Sequence, residues 1–316
     1  MSIANMVGLG PGFLRREALA LGLTDTTLRR AIAKGELIRA RQGLYVDGLW
    51  WRNADPQSRH VEVARAAARL FTRPIVMSHW TAALLHGLPV WDVDLRRVHV
   101  THLVPASGRL QGGIVHHRSS RELTGNGTVG NVPVTGAART VIDCVKLGGV
   151  ERGMVVADAA LAKGLVTPRC LANQALAQDH DPHSLPVRLV VGGATALAQS
   201  AGETRSRLLF SRTGLPTPEL QYKVYGAFGE LLGIVDFAWP EYGVIVEFDG
   251  KVKYVDFVPE GETAVDVLMK EKRREDRIRE ATGWAVIRLT WDDLDAPERT
   301  AARIRRAMTR RSGAPA

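Results

Sequence analysis

Cysteine is scarce in this chain of 316 residues, which holds only Cys144 and Cys170. Two thiols so far apart in sequence cannot form a disulfide framework or a CxxC metal knuckle. No apolar run approaches the roughly 20 residues that a membrane-spanning helix needs, and the first residues lack the charged and then apolar pattern of a signal peptide. We therefore expect a cytoplasmic protein with no membrane association.

Histidine is missing from the C-terminal part of the chain, because all nine histidines lie before residue 184. The spacings of these nine match no known zinc motif. Strand histidines such as His99, His102 and His116 are typical of partly exposed packing positions. The sequence therefore does not favour a histidine metal site.

Positive charge is distributed unevenly along the chain. Apolar residues make up 45% and charged residues 24%, as in ordinary globular proteins, and the net charge is +9. Residues 1–121 hold 17 Lys/Arg against 8 Asp/Glu, whereas residues 122–200 hold 6 and 6, and residues 201–316 hold 19 and 19. The whole excess is N-terminal, which indicates a polyanion-binding surface there. The alternative is a basic surface with no partner.

The first 46 residues show the pattern of two short helices followed by a hairpin. Apolar residues at helical spacing predict a helix over Phe13–Leu21, and Thr24 or Asp25 can cap a second helix that extends through Lys34. Alternation around a central glycine predicts a hairpin over residues 37–46. This order is that of a winged helix-turn-helix, whose second helix presents its N-terminal residues to the major groove of DNA.

The predicted second helix points Leu28 and Ile32 toward the core, because these residues are four positions apart. Its polar and basic residues then face outward, and basic residues on one face of the wing can hold phosphates. The candidate DNA-binding residues are Thr26, Thr27, Arg29, Arg30 and Lys34 on the helix, and Arg39 and Arg41 on the wing. The alternative is a solvated basic helix in a scaffold domain.

The middle of the chain shows mixed helical and strand patterns. Helical spacing occurs over residues 61–71, 78–86, 137–147 and 150–161, and strand alternation over residues 97–103 and 113–118. The polar, proline-containing stretch Asp179–Pro186 indicates a break there or shortly after it, before Ser200. We therefore expect an α/β multidomain chain with domains over residues 1–55, 56–198 and 199–316.

From Ser200 onward the patterns predict the order α-β-β-β-α-β, which is that of the restriction-endonuclease-like core. The predicted elements are a helix at 201–213, strands at about 218–226, 230–238 and 243–249, a helix at 263–281, a strand at 285–290 and a final helix at 296–311.

Carboxylates interrupt the hydrophobic strands of this region. Side chains alternate along a strand, so Glu247, Asp249 and Lys251 share a face, and Asp236 on the neighbouring strand can lie beside them. Such clustering is electrostatically costly unless a cation compensates it. Mg²⁺ or Mn²⁺ would do so with oxygen ligands and waters, without histidine. The alternative is a surface hairpin whose charges protect a sheet edge.

Residues 200–316 resemble the PD-(D/E)XK nuclease superfamily, in its branch related to very-short-patch repair endonucleases. The matching positions are Glu203 with Arg207, Gly214-Leu215-Pro216, Gln221, residues 236–241, 247–250 and 271–276, Gly283-Trp284 and Thr290-Trp291. The resemblance implies hydrolysis of phosphodiester bonds by a metal-activated water.

Within this resemblance, Asp236 would be the first metal ligand and Glu247 or Asp249 the second. If Asp249-Gly250-Lys251 is the D-x-K element, Lys251 assists the attacking water or stabilises the pentavalent phosphate. If Glu247-Phe248-Asp249 is that element, the lysine role passes to Lys272 on the following helix. Both registers stay open.

Glu203 also has two interpretations. Ser200-Ala201-Gly202-Glu203 is a capping box, in which the glutamate satisfies a backbone N–H at the start of its own helix. In the nuclease resemblance, the same residue belongs to the metal site.

The first two thirds of the chain resemble, more loosely, the AbiEi-type antitoxin family of type IV toxin-antitoxin systems. The matching stretches are the N-terminal winged helix and residues 78–83, 86–88 and 137–143. This resemblance implies a toxin partner encoded nearby, commonly a nucleotidyltransferase. Two functions are therefore expected: a DNA-binding protein with a Mg²⁺-dependent endonuclease domain, or an antitoxin and transcriptional autorepressor whose nuclease-like domain is inactive.

Overall fold

The computed structural model describes residues 8, 10–104, 108–118, 125–177, 184–250 and 263–312. The chain divides into two compact units, Met1–Ala194 and Thr195–Ala316. This division lies close to the predicted boundary between residues 198 and 199. Residues 1–55 and 56–194 both fall within the first unit.

The first unit begins with two short helices and a small sheet. Its elements are β1 (Gly12–Leu14), α1 (Arg15–Ala20), α2 (Asp25–Ala33), β2 (Leu37–Arg41) and β3 (Leu44–Asp47). The antiparallel sheet has the order β1-β3-β2. The predicted helix from Phe13 is corrected here, because Phe13 and Leu14 pair with Tyr45 and Leu44 as strand β1. Tertiary pairing overrides a helical spacing that is only a few residues long.

The remainder of the first unit surrounds a six-stranded mixed sheet. Its elements are α3 (Gly48–Asn53), α4 (Pro56–Ala68), β4 (Ile75–Met77), α5 (His79–Leu85), β5 (Val98–His102), β6 (Arg109–Gln111), β7 (Ile114–Arg118), β8 (Gly127–Val129), β9 (Val132–Val134), α6 (Ala137–Ala162), α7 (Pro168–Leu176) and α8 (Ser184–Gly193). The strand order is β6-β7-β5-β4-β9-β8. Helix α6 joins the two predicted helices, with a kink at Gly149 (φ 76°, ψ −169°).

One hydrophobic core connects the two sheets of the first unit. Leu14 and Val46 of the small sheet pack in the same cluster as Val63 of α4 and Val100 of β5. The buried Glu62 of α4 reinforces this junction, because its carboxylate accepts a hydrogen bond from the Gly12 backbone N–H at 2.8 Å. The shared core explains why residues 1–55 do not form a compact unit of their own.

The second unit follows the predicted order closely. Its elements are α9 (Ala201–Arg212), β10 (Glu219–Tyr225), β11 (Leu231–Trp239), β12 (Val244–Phe248), α10 (Ala264–Thr282), β13 (Ala285–Leu289), α11 (Trp291–Leu294) and α12 (Pro297–Ser312). The strand order is β10-β11-β12-β13, with β12 and β13 parallel and the other neighbours antiparallel. The observed order α-β-β-β-α-β thus agrees with the sequence prediction.

The sheet of the second unit is covered on both faces. Val244 and Val246 of β12 pack in a cluster with residues of α9, α11 and α12, while Ile245, on the other face, packs with Ile278 of α10. Polar side chains on these strands are therefore held between apolar layers. Among the described helices of the chain, none combines the length and the apolar character needed to cross a bilayer.

Candidate functional site

Helix α2 is held by a side-chain cap at its N-terminus. Thr24 Oγ1 accepts a hydrogen bond from the Thr27 backbone N–H at 3.1 Å, and the two threonine hydroxyl oxygens lie 3.0 Å apart. Leu28 and Ala31 are buried in the small core beneath the helix. The cap and the core together determine which side of α2 faces outward. Thr27 itself takes part in the cap.

The outward side of α2 is basic. Arg29, Arg30 and Lys34 are exposed, as is Thr26. Lys34 has only a long, exposed contact of 3.9 Å with Glu36, and among the described residues Arg30 has no ion pair. Exposed pairs of this kind contribute little free energy, so these cations are available to phosphates.

The hairpin of β2 and β3 exposes one of its two candidate arginines. Arg39 is exposed on β2. Arg41 instead donates hydrogen bonds from Nη1 to the carbonyl oxygen of Gly112 and from Nη2 to that of Arg96, each at 2.7 Å. Burial lowers the pKa of Arg41, but two carbonyl acceptors compensate part of its lost hydration. The predicted phosphate contact of Arg41 therefore receives no support from its geometry.

In the second unit, Asp236 and Glu247 lie side by side. The ladder between β11 and β12 pairs Phe237 with Val246, so Asp236 falls opposite Glu247 at the next position. Asp236 Oδ2 accepts a hydrogen bond from the Phe248 backbone N–H at 2.8 Å. The structure therefore brings together two of the three predicted metal ligands.

Glu247 belongs to a row of alternating charges beneath helix α10. Arg274 Nη2 donates to Glu247 Oε1 at 2.7 Å and to Glu271 Oε1 at 2.6 Å, while Arg288 of β13 lies between Glu271 and Glu275 at 3.8 and 2.5 Å. Burial raises the pKa of Glu247, although the hydrogen bond from Arg274 opposes that shift, and the neighbouring carboxylates add to it. Hydrogen bonding to Glu271 and Glu247 raises the pKa of Arg274 in turn. Glu247 thus has a cationic partner inside the protein.

Glu203 performs the capping role and contacts the sheet as well. Ser200 Oγ accepts from the Glu203 backbone N–H at 3.2 Å, and the buried Glu203 carboxylate accepts from the Gln199 backbone N–H and the Ser200 hydroxyl, both at 2.9 Å. Gln221 Nε2 also donates to Glu203 Oε2 at 3.2 Å. Gln221 has a left-handed φ of 49° and lies between ladder pairs that place it opposite Asp236. Gln221 therefore contacts Glu203 from a ladder position opposite Asp236.

The remaining predicted catalytic residues do not join Asp236 and Glu247 as closely as these two join each other. Asp249 follows β12, and its backbone N–H donates to the carbonyl oxygen of Leu289 at 2.8 Å. Lys251 lies outside the described residues. Lys272 is exposed on α10, whereas Arg274, two positions later, is the cation of that helix that contacts Glu247.

The oxygen donors Asp236 and Glu247 suit Mg²⁺ by type, because Mg²⁺ prefers hard oxygen ligands. Their geometry fits only in part. In the described part of the chain, Asp236, Glu247 and Asp249 do not bring three ligand oxygens within 4.8 Å of one another. An ion held by Asp236 and Glu247 would also compete with Arg274 for Glu247.

Sequence reasoning did not single out Arg274, and it assigned Gln221 no role. The available signal for Arg274 was its spacing from Ile278, which is buried under α10 one turn later. That spacing turns Arg274, rather than Lys272, toward the sheet. The left-handed conformation of Gln221 has no evident signal in the sequence.

Comparison with known proteins finds a family match at the N-terminus. Residues 12–46 match the family described as transcriptional regulator, AbiEi antitoxin. These residues contain β1, α1, α2, β2 and most of β3, and thus the exposed basic helix and most of the hairpin that follows it. The match supports the antitoxin resemblance over this segment, and it lends no support to the nuclease resemblance of residues 200–316.

Two curated relatives cover most of the chain. The uncharacterized proteins MT2308 and Rv2248 of Mycobacterium tuberculosis, from strains CDC 1551 / Oshkosh and ATCC 25618 / H37Rv, are each 28% identical over 235 residues. The aligned part is 73% of this chain and 80% of each relative. Their descriptions assign no function.

Proposed function

We propose that this chain is a DNA-binding transcriptional regulator of the antitoxin class. The observation that carries the proposal is the capped helix α2, whose exposed basic side lies within the segment that matches the regulator family. The excess of Lys/Arg over Asp/Glu in residues 1–121 supplies the long-range attraction that a polyanion requires. The antitoxin class further implies a toxin partner.

In this proposal α2 acts as the recognition helix of a winged helix-turn-helix. Thr26, in its first turn, is placed to reach base edges, since the N-terminal residues of a recognition helix enter the major groove. Arg29, Arg30 and Lys34 hold phosphates, and Arg39 of the wing adds another phosphate contact. These phosphate contacts make affinity depend strongly on salt concentration.

The test is the double substitution Arg29→Ala with Arg30→Ala. We expect DNA affinity to fall about tenfold or more, and the slope of log affinity against log salt to become shallower by about 1 for each phosphate that is no longer neutralised. Fluorescence anisotropy with duplex DNA from the chain's own promoter region, over a salt series, measures both quantities.

The matched control is Arg169→Ala with Arg188→Ala, which removes the same charge from exposed positions on α7 and α8. This variant should keep the wild-type salt slope. If both double variants lose affinity equally, net charge rather than α2 determines binding, and the recognition-helix assignment is wrong.

We propose Mg²⁺-dependent endonuclease activity as the second candidate function. It is favoured by the placement of Asp236 opposite Glu247 and by the α-β-β-β-α-β order of the second unit, a restriction-endonuclease-like arrangement. In that role the two carboxylates, with Asp249, would hold the ion, and the ion would activate a water for attack on phosphorus. Arg274 would then have to release Glu247, or share it.

Incubation of plasmid, mismatched and single-stranded DNA with the protein and Mg²⁺ or Mn²⁺ tests this second function. Asp236→Asn and Glu247→Gln should each abolish cleavage, whereas the control Glu241→Gln, at an exposed position between β11 and β12, should not. Absence of cleavage, or cleavage that survives both substitutions, would leave the second unit with a non-catalytic role and the DNA-binding proposal intact.

A further inference from the structure

Three histidines meet on one face of the six-stranded sheet. His79 begins α5, His99 lies on β5 and His117 lies on β7, and one ligand nitrogen from each lies within 4.8 Å of the other two. His99 Nδ1 is 2.8 Å from His117 Nε2, and the rings of His79 and His117 stack with centroids 3.7 Å apart. Within the described residues, this is the group of three His, Cys, Asp or Glu side chains close enough to share an ion.

Strand pairing creates this histidine cluster. Strands β5 and β7 are parallel, and the pair Thr101 and His117 lies two positions beyond the pair His99 and Val115. Side chains two positions apart share a face, so His99 and His117 point the same way. A second pair, His102 and His116, occupies the opposite face of the same strands with Nε2 and Nδ1 also 2.8 Å apart.

Neighbouring hydroxyl groups hold His79 in place. Its Nδ1 lies 2.9 Å from Ser78 Oγ, and Ser78 Oγ accepts a hydrogen bond from the Thr101 hydroxyl at 2.8 Å. In the tautomer whose Nδ1–H donates to Ser78 Oγ, Nε2 carries the lone pair that a metal ion needs, and outer partners orient metal-bound histidines in this way. His79 also has a left-handed φ of 53°, a strained conformation that is concentrated at functional sites.

The cluster is uncharged at neutral pH. Burial lowers the pKa of His99 to about 3 and that of His117 to about 4, and it lowers the pKa of His79 well below its ordinary value. Neutral imidazole is the form that binds metal. Arg139 and Lys146 lie near enough to His79 to disfavour added positive charge, but Arg139 is paired with Asp143 at 2.7 Å.

We propose that His79, His99 and His117 form a binding site for a transition-metal ion of the Zn²⁺ class. Three imidazole nitrogens are a recurrent ligand set for such ions and leave a fourth position for water. Metal–nitrogen bonds of about 2.0–2.1 Å in a tetrahedron separate the nitrogens by about 3.3 Å. Binding replaces the hydrogen bond between His99 Nδ1 and His117 Nε2, and the proton of that bond moves to the other nitrogen of the ring that carries it. The two ligand nitrogens then move apart by about 0.5 Å from their 2.8 Å separation, and the stacked His79 ring turns toward the ion. The evidence for this site rests on neither of the proposed functions.

The experiment titrates Co²⁺ and then Zn²⁺ into the full-length, metal-free protein without a polyhistidine tag. We expect one Co²⁺ per chain, a visible absorption band of tetrahedral intensity, and its loss when Zn²⁺ displaces Co²⁺. His117→Gln and His99→Gln should each weaken binding at least about 100-fold. The matched control is His102→Gln with His116→Gln, on the opposite face of the same strands, which should bind within about threefold of wild type.

A second readout needs no substitution: Zn²⁺ should raise the melting temperature of the wild-type protein, because it binds the folded state. Circular dichroism checks that each variant folds. If His99→Gln does not fold, the more exposed His117→Gln decides the outcome. The proposal is overturned if wild type shows no saturable binding tighter than about 100 µM, or if the control loses binding as much as His117→Gln does.

Discussion

The histidine cluster of the first unit and the carboxylate–arginine row of the second unit accommodate partly buried ionisable side chains in different ways. Each gathers ionisable side chains on neighbouring strands under a helix. In the row, Arg274 and Arg288 alternate with Glu247, Glu271 and Glu275, so each charge has an opposite neighbour. In the cluster the imidazoles are neutral at neutral pH, because burial lowers the pKa of His99 and His117. Partly buried ionisable groups are thus tolerated when they are paired or when they are neutral.

This difference changes what each group offers to a cation. The row already satisfies its carboxylates with arginines, so an added ion must displace a partner. The cluster offers neutral imidazoles, and an added ion replaces the hydrogen bond between His99 and His117 but displaces no partner charge. The acidic residues alone would suggest a metal in the second unit, whereas the geometry favours the histidines of the first.

Acid should affect the histidine cluster most. Unfolded histidine takes up a proton near pH 6.5, whereas His117 and His99 in the folded chain do so only near pH 4 and 3. Their contribution to stability is therefore complete above pH 6.5 and is lost as the pH falls from 6.5 toward 3. Between pH 7 and 4.5 we expect the first unit to lose on the order of 3–5 kcal/mol of unfolding free energy.

Hydrogen exchange of peptides from β5 and β7 at these two pH values measures that loss. The variant His99→Asn with His117→Asn should lose less than half as much stability over the same interval. Equal losses in variant and wild type would show that other groups control the acid response, and the contrast between the two units would disappear.

Removal of Arg274 should have the next largest effect. Arg274→Ala leaves Glu247 and Glu271 without their shared cation, and breaking a largely buried pair from one side costs about 3 kcal/mol. Urea denaturation, with hydrogen exchange reporting on β12, measures the loss in the second unit. The exposed neighbour Arg273→Ala serves as control and should change stability by less than about 0.5 kcal/mol.

Adding Glu247→Gln to Arg274→Ala should restore part of the lost stability, because it removes the uncompensated carboxylate. Mg²⁺ provides a further distinction. If it stabilises Arg274→Ala more than wild type, the ion and the arginine compete for Glu247. An Arg274→Ala variant as stable as wild type would mean that the row is not held together by charge pairing.

Substitution of Gln221 should produce the smallest effect. Gln221→Ala removes one donor from the buried Glu203 carboxylate and should cost about 1 kcal/mol. Gln221→Gly should cost less, because glycine adopts the left-handed φ at this position without strain. Thermal unfolding compares both with Lys223→Ala, an exposed control on the same strand. An equal cost for the alanine and glycine variants would show that backbone strain plays no part.

The fold of the second unit could be predicted closely from the sequence. Its strands are five to nine residues long, so the alternation of side chains is visible. In the first unit, β4, β6, β8 and β9 have only three residues each, too few for alternation to show. Their positions depend on pairing with distant segments, which local patterns do not contain.

The candidate sites show the same limit, because local sequence patterns do not reveal which distant side chains meet. Asp236 and Glu247 could be placed together because one short turn connects their strands. The cation beside them could not be chosen, because packing of Ile278 decides which side of α10 meets the sheet. The sequence did not predict the histidine cluster and did not favour a histidine metal site. The reason is that the three histidines come from separate segments that only the sheet brings together.

The hydrogen bonds of Arg41 connect the hairpin of β2 and β3 to the start of β7. Its guanidinium donates a hydrogen bond to the carbonyl oxygen of Gly112, in the turn that leads into β7, the strand of His117. A side chain at Gly113 would collide with this guanidinium. The hairpin beside α2 and the turn before β7 are therefore joined by a hydrogen bond. Under the proposed DNA binding, a ligand that shifted this turn and the hairpin together would change DNA affinity by the same factor as DNA changes the affinity for that ligand. Gly113→Ala, which displaces Arg41, would disconnect the two.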